Sequence, residues 1–147
     1  MNFVRVLIMS LLLSQSCSFV GQASREEIRP AAVCGIEGFT SSSDEHIIDE
    51  ITKLIIVRAV KGKITNEQGG WPTKWPVLFE IRRTEGASET IKVYADNEGK
   101  FSIPDVAAGS YCFKATVDGW QSVIGIIKVD KKANPRNSIQ IVLKIGV

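Results

Sequence analysis

Short segments in which hydrophobic and polar residues alternate follow one another along most of the chain. In residues 77–83, for example, Val77, Phe79 and Ile81 share one face of an extended strand, while Leu78, Glu80 and Arg82 point to the other. A period of two residues is typical of a half-buried β-strand. About seven such segments, separated by turn residues, predict an all-β sandwich. They are residues 54–65, 77–83, 90–95, 101–103, 110–117, 122–129 and 138–145.

The first residues have a different pattern, which predicts a secretory signal peptide. Arg5 precedes an apolar run over residues 6–13, which is too short for the roughly 20 apolar residues of a membrane span. Small residues at Gly21 and Ala23 place cleavage after Ala23, so the signal covers residues 1–23. An uncleaved membrane anchor is the alternative. The mature protein is therefore predicted to be extracytoplasmic (periplasmic, secreted or on the outer surface), with no transmembrane span.

Cys17 raises a second alternative, because bacterial lipoprotein signals end in a lipid-bearing Cys. In those signals a Leu stands three residues before the Cys, with small residues between them. Here Leu13 stands one place too far back, and Gln15 occupies a small-residue position. We therefore favour an ordinary signal peptide over lipidation of Cys17.

The mature chain retains two cysteines, Cys34 and Cys112. In an oxidising compartment an even pair is expected to form a disulfide. Closing a loop of roughly 80 residues would stabilise the fold by about 4 kcal/mol in the chain-entropy description. The alternative is two separate thiols, with Cys112 a small buried residue of a strand.

Residues 24–53 lack a sustained period and are predicted to form an arm or linker before the domain of residues 54–147. Pro30, Gly35 and Gly38 interrupt its first part. Ser43 then introduces a short helix-like stretch, in which Ile48 and Ile51 contribute to an apolar face. About two helical turns are marginal on their own.

Charge is distributed unevenly but mildly. Residues 24–52 hold two basic and seven acidic residues, whereas residues 53–147 hold fifteen basic and nine acidic ones. The basic residues are scattered along strands in the sequence. They predict the solvated face of a sheet, and no nucleic-acid partner.

The chain offers little catalytic or metal-binding chemistry. His46 is the single histidine and lies in the Ser-rich arm, so neither a catalytic triad nor a zinc site is predicted. The segment from Asp96 to Gly99 is read as a hairpin turn rather than a calcium loop, because it lacks the alternating oxygen ligands of an EF-hand. We therefore predict no catalytic residues, no metal, no cofactor and no enzymatic activity.

An ordered set of motifs resembles the carboxypeptidase regulatory-like domain. Asp96-x-x-Gly99-x-Phe101 is followed by Val106-x-x-Gly109-x-Tyr111, with Gly62 earlier and Gly119-Trp120 later. The resemblance covers about residues 54–147 and implies a transthyretin-like (prealbumin-like), antiparallel Greek-key sandwich of the kind grouped with starch-binding-like folds. Members of this family are typically non-catalytic accessory modules. Hydroxyisourate hydrolases share that fold, but their histidines and Tyr-Arg-Gly-Ser terminus have no counterpart here.

The segment 71–76 departs from the family pattern and carries Trp71 and Trp75; Trp120 follows a later strand. Exposed aromatic rings can stack on the apolar faces of sugars, so Trp71, Trp75 and Trp120 are the candidate ligand-binding residues. The competing interpretation buries these rings at the end of the core. We expect a binding module for carbohydrate or envelope polymer. The alternatives are a structural component that binds an envelope protein and, least favoured, a small hydrolase.

Overall fold

The computed structural model describes residues 28–42, 47–71, 74–86 and 88–145. The predicted signal peptide, Cys17, Ser43 and His46 lie outside these residues. Within them, eight β-strands follow one short helix. The elements are α1 Pro30–Cys34, β1 Ile48–Val57, β2 Val60–Asn66, β3 Leu78–Arg83, β4 Ile91–Tyr94, β5 Lys100–Ile103, β6 Gly109–Thr116, β7 Ser122–Val129 and β8 Ile139–Leu143.

The strands form two sheets, which confirms the all-β prediction. One sheet has the order β1-β7-β6-β3-β4 and the other has the order β5-β2-β8. Both sheets are mixed, because β1 pairs with β7 and β2 pairs with β8 in parallel. The purely antiparallel arrangement expected from the sequence is therefore wrong at these two pairs. The two strands of each parallel pair are far apart in the chain. A hairpin, which would make them antiparallel, is therefore not needed to connect them.

The run of residues 54–65 belongs to two strands rather than one. A bend at Arg58 and Ala59 separates β1, an edge strand of the larger sheet, from β2, the central strand of the smaller sheet. The amide of Lys61 donates to the carbonyl of Ala59 at 3.0 Å. β-Branched residues lie on both sides of this bend, and no proline or glycine marks it, so the sequence does not signal the end of β1. The structure therefore has eight strands in its described part, where seven were expected.

The helix predicted after Ser43 is wrong over the residues that the structure describes. Ile48 and Ile51 lie in β1, where they pair with Ser122 and Gly125 of β7. Isoleucine is stiff at χ1 and packs well on a pleated surface, so pairing with β7 prevails over a weak helical pattern. The predicted boundary between arm and domain, at residues 53 and 54, falls inside β1.

The core fills the space between the two sheets. Phe79 of the larger sheet stacks on Phe101 of the smaller one, with ring centroids 4.0 Å apart, and lies 5.6 Å from the ring of Phe113. Ile64 and Ile141 pack into the same cluster and are fully buried. Residues of both sheets therefore share one hydrophobic core. No helix in the described part of the chain is long and apolar enough to cross a membrane.

The arm covers the outer face of the larger sheet, and the predicted disulfide fastens it there. Cys34, at the end of α1, is bonded to Cys112 of β6, and their Cα atoms are 5.7 Å apart. The guanidinium of Arg82 donates to the carbonyls of Cys34, Gly35 and Glu37. It also lies 4.5 Å from the centroid of the Phe39 ring. The arm is thus part of the folded domain.

Beneath the arm lies a buried row of charges. Glu80 and Lys114 are opposite each other on β3 and β6, and both are fully buried. The Glu80 carboxylate accepts from the amide and hydroxyl of Thr40 at 2.9 Å each, and Lys92 forms an ion pair with it at 2.9 Å. Lys114 donates to the Thr40 carbonyl at 2.8 Å. Buried charges require such partners, so these contacts account for the burial.

Candidate binding surface at the tryptophan end

All three tryptophans lie at one end of the sandwich. Trp71 and Trp75 belong to the loop between the end of β2 and the start of β3. The first residue of β3 pairs with Thr116, the last residue of β6, so Trp120 in the β6–β7 loop is at the same end. Trp120 also forms a bridge with Ile145, just beyond β8, whose end lies beside the end of β2. We call this region the tryptophan end.

Trp71 anchors its loop to the sandwich. The ring is half-buried and packs against the main core. A Cβ atom added at Gly99 would lie 3.0 Å from the Trp71 ring and 2.1 Å from the carbonyl oxygen of Ile64, so the ring and the neighbouring hairpin are closely packed. The Asn66 side-chain oxygen accepts from the amides of Gln68 and Gly70 at 3.0 and 2.9 Å. These contacts hold the first half of the loop in place.

The hairpin beside Trp71 has the predicted turn. The Asp96 carboxylate accepts from the amides of Glu98 and Lys100, both at 2.9 Å, and Gly99 has a positive φ of 78°. Those two hydrogen bonds, first the one from Lys100, lower the pKa of Asp96 below its ordinary value. The carboxylate is thus engaged by the backbone of its own turn. In the described residues, no group of three or more His, Cys, Asp or Glu side chains is placed to hold a metal ion.

Trp75 is the exposed aromatic ring of this end. Its relative exposure is 68%, in contrast to the half-buried Trp71 four residues earlier. Tyr94 and Ile145, exposed by 62% and 65%, lie at the same end, because Tyr94 pairs with Leu78 at the start of β3. The sequence analysis did not single out Tyr94. The available signal was the alternation along β4, in which Tyr94 follows the core-packed Val93 and therefore points to the other face of the sheet.

Trp120 combines partial burial with a position in the backbone ladder. Its ring packs against the main core, and its backbone forms the bridge to Ile145. The next amide, that of Gln121, donates to the carbonyl of Lys144 at 2.9 Å. These contacts join the β6–β7 loop to the chain after β8. Of the three candidate rings, Trp71 and Trp120 therefore support the surface, and Trp75 is the one that faces solvent.

No known protein-family model matches this chain, and no curated protein matches it either. The resemblance drawn from the Asp96–Phe101 and Val106–Tyr111 motifs therefore stays a prediction.

Proposed function

We propose that this protein is an extracytoplasmic, non-enzymatic binding module that recognises carbohydrate or another envelope polymer at its tryptophan end. The observation that carries this proposal is the 68% exposure of Trp75 in a loop whose companion ring, Trp71, is anchored on the core. Trp75 is the contact residue, whereas Trp71 and Trp120 pack against the core at the same end of the sandwich.

The physical argument rests on the cost of exposing apolar rings. Apolar side chains grouped on a surface forgo the stabilisation of burial, and such groups usually mark interaction sites. Trp75, Tyr94 and Ile145 are three exposed large hydrophobic side chains at this end of the sandwich, and Trp75 is the most exposed of them. A tryptophan face can stack on the C–H groups of a pyranose ring, while nearby polar side chains hydrogen-bond to its hydroxyls. Flat aromatic surfaces on a rigid scaffold suit such a ligand because little side-chain entropy is lost on binding.

The proposed fold family is the transthyretin-like, Greek-key sandwich of carboxypeptidase regulatory-like domains. Support comes from where its motifs lie. Asp96 and Gly99 form the β4–β5 turn, Phe101 packs in the core, and Gly62 lies where β2 approaches both of its neighbours. The hydroxyl of Tyr111 donates to the carbonyl of Ala107 at 2.9 Å, closing the turn before β6. A non-catalytic accessory role follows from this resemblance.

A protein-interaction role is the second candidate, and the sheet edges support it. Strands β1 and β8 are edge strands of the two sheets and line one groove, through residues 53–56 on one side and Asn137, Ser138 and Gln140 on the other. Edge strands offer backbone groups to an added strand of a partner. This mode of binding would not depend on Trp75.

Titration of the purified protein with soluble polysaccharides and peptidoglycan fragments tests the proposal, with tryptophan fluorescence and calorimetry as readouts. We expect saturable binding that Trp75→Ala weakens by about tenfold or more, as for the loss of one stacked ring. Ile36→Ala, at an exposed apolar residue of the arm, is the matched control and should leave binding unchanged. Circular dichroism verifies that both variants fold.

Two results would refute the carbohydrate proposal. One is equal binding by wild type and a folded Trp75→Ala variant. The other is no binding to any polymer, together with capture of a defined envelope protein by both proteins, which would favour the edge-strand role.

A further inference from the structure

The outer face of the three-stranded sheet carries a group of lysines that are distant in the sequence. Strand pairing sets Lys63 of β2 directly opposite Lys100 of β5 and beside Gln140 of β8. Lys61 lies two residues along the same face and pairs with Ser102. The side chains of these five residues are all exposed, whereas the residues between them on each strand face the core. We call the surface formed by Lys61, Lys63, Lys100, Ser102 and Gln140 the lysine face.

This arrangement costs stability. Directly opposed residues of an antiparallel pair have Cβ atoms about 5 Å apart, and like charges at that distance destabilise the sheet. Lys100 forms an ion pair with Glu98. In the described part of the chain, by contrast, neither Lys61 nor Lys63 has a carboxylate within ion-pair distance. The two central cations of the face are thus left available to an external anion.

The positive surface continues past the sheet edge. Lys53 of β1 lies in the groove that Ser138 and Gln140 line from the β8 side, and the Gln140 amide donates to the Ser138 hydroxyl at 2.8 Å. Adjacent strands are about 4.8 Å apart, so Lys100, Lys63 and Gln140 form a row about 10 Å long that leads towards Lys53. An extended ligand lying across the strands would meet Lys63 in the sheet and Lys53 beyond its edge, with the neutral Gln140 between them.

We propose that the lysine face and the adjoining Lys53 bind an acidic polysaccharide, whose carboxylate or sulfate groups lie on Lys61, Lys63 and Lys53. Hydroxyl and amide side chains, those of Ser102, Ser138 and Gln140, lie between the lysines and suit the hydroxyls of a sugar chain. The face also adjoins the tryptophan end, because Lys100 directly follows Gly99, which packs against Trp71. The inference rests on the proposed function only in taking the polyanion to be a glycan.

Other polyanions fit the face less well. Single-stranded nucleic acid is usually held by aromatic side chains on which bases stack, and the outward-facing residues of β2, β5 and β8 include none. A membrane surface favours several apolar side chains that enter the lipid. Among the outward-facing residues of β2, β5 and β8, Val142 alone is a large exposed hydrophobic residue. Both classes of ligand are therefore tested as competitors.

The test compares polygalacturonate with neutral dextran, using calorimetry at several salt concentrations. Wild type should bind polygalacturonate in a salt-dependent manner, and Lys61→Gln/Lys63→Gln should weaken that binding by about tenfold, as expected for two exposed ion pairs. The matched control is Lys128→Gln/Lys132→Gln, which removes the same charge from exposed lysines of β7 and the turn after it. It should change the affinity less than about twofold.

Three results would overturn the inference: equal losses in the two double variants, no loss in Lys61→Gln/Lys63→Gln, or tighter lysine-dependent binding to single-stranded DNA or phosphatidylglycerol vesicles. Trp75→Ala separates this inference from the proposed function. If it leaves all glycan binding unchanged while the lysine variant loses polygalacturonate, the lysine face stands and the Trp75 site fails. If dextran binding depends on Trp75 but polygalacturonate binding ignores Lys61 and Lys63, the lysine face fails.

Discussion

Replacement of Gly62 by alanine should severely destabilise the sandwich. Gly62 lies in the middle of β2, paired on one side with Phe101 and on the other with Ile139. A Cβ atom there would lie 2.1 Å from the carbonyl oxygen of Ile139 and 2.7 Å from the tip of the Phe101 ring. The first of these atoms belongs to the backbone of β8, so no rotamer change can relieve the collision.

The magnitude follows from what must move. Overpacking a core by one methyl group costs about 1–3 kcal/mol when side chains can adjust. Here β2 and β8 must separate, and Phe101 must shift from its 4.0 Å stack on Phe79. Alanine also restricts the unfolded chain, which offsets about 0.4–1 kcal/mol. We expect Gly62→Ala to lower the free energy of unfolding by about 3 kcal/mol, which corresponds to a decrease in Tm of about 10 °C.

Urea unfolding followed by circular dichroism measures this loss, and Gly70→Ala is the matched control. Gly70 has no positive φ, and an added Cβ atom would lie 3.7 Å from the nearest heavy atom, in the Asn66 side chain. Its free energy of unfolding should stay within about 0.5 kcal/mol of wild type. If the free energy of unfolding of Gly62→Ala also stays within about 0.5 kcal/mol of wild type, the close approach of β2 and β8 is not as described.

Two further predictions concern the arm and the β4–β5 turn. Cys34→Ala/Cys112→Ala removes a bridge spanning 78 residues and should lower the free energy of unfolding by about 4 kcal/mol, as measured by urea titration. A loss below about 1 kcal/mol would contradict the role of the bridge in restricting the unfolded chain. Asp96 has a lowered pKa in the folded protein, so its charged form stabilises the fold above the unfolded value of 3.8, and this contribution is lost as pH falls through the folded pKa. Urea titrations between neutral and strongly acidic pH should therefore show Asp96→Ala less stable than wild type at neutral pH, with the gap narrowing in acid; a gap independent of pH would contradict the assignment.

Local patterns in the sequence determined most of the strands and one turn. The alternation of Val77, Phe79 and Ile81 places these residues in the core, because side chains on a strand alternate between faces whatever its partner. The turn at Asp96 and Gly99 was equally predictable, since both its hydrogen bonds and its positive φ involve neighbouring residues. The disulfide was predictable because residues 24–147 contain two cysteines, so Cys112 was the available partner for Cys34.

Strand pairing, by contrast, was decided only by the tertiary structure. Ile48 and Ile51 form part of a strand because the edge of β7 is available to them, and no local signal reports that edge. Lys63 and Lys100 meet for a similar reason, since a register between distant strands depends on the packing of the whole sheet. Lysines that are scattered along the chain thereby become one surface.

Burial of polar groups was also beyond the reach of the sequence. Glu80 lies on the polar face of a strand in which polar and apolar residues alternate, and this pattern predicts that its side chain is exposed to solvent. It is fully buried because the disulfide-linked arm covers that face and Thr40 supplies hydrogen bonds to its carboxylate. At the tryptophan end, contacts with distant residues partly bury Trp71, whereas Trp75 stays exposed. Residue type and spacing made the three rings candidates for a ligand site, and long-range packing decided which one faces the solvent.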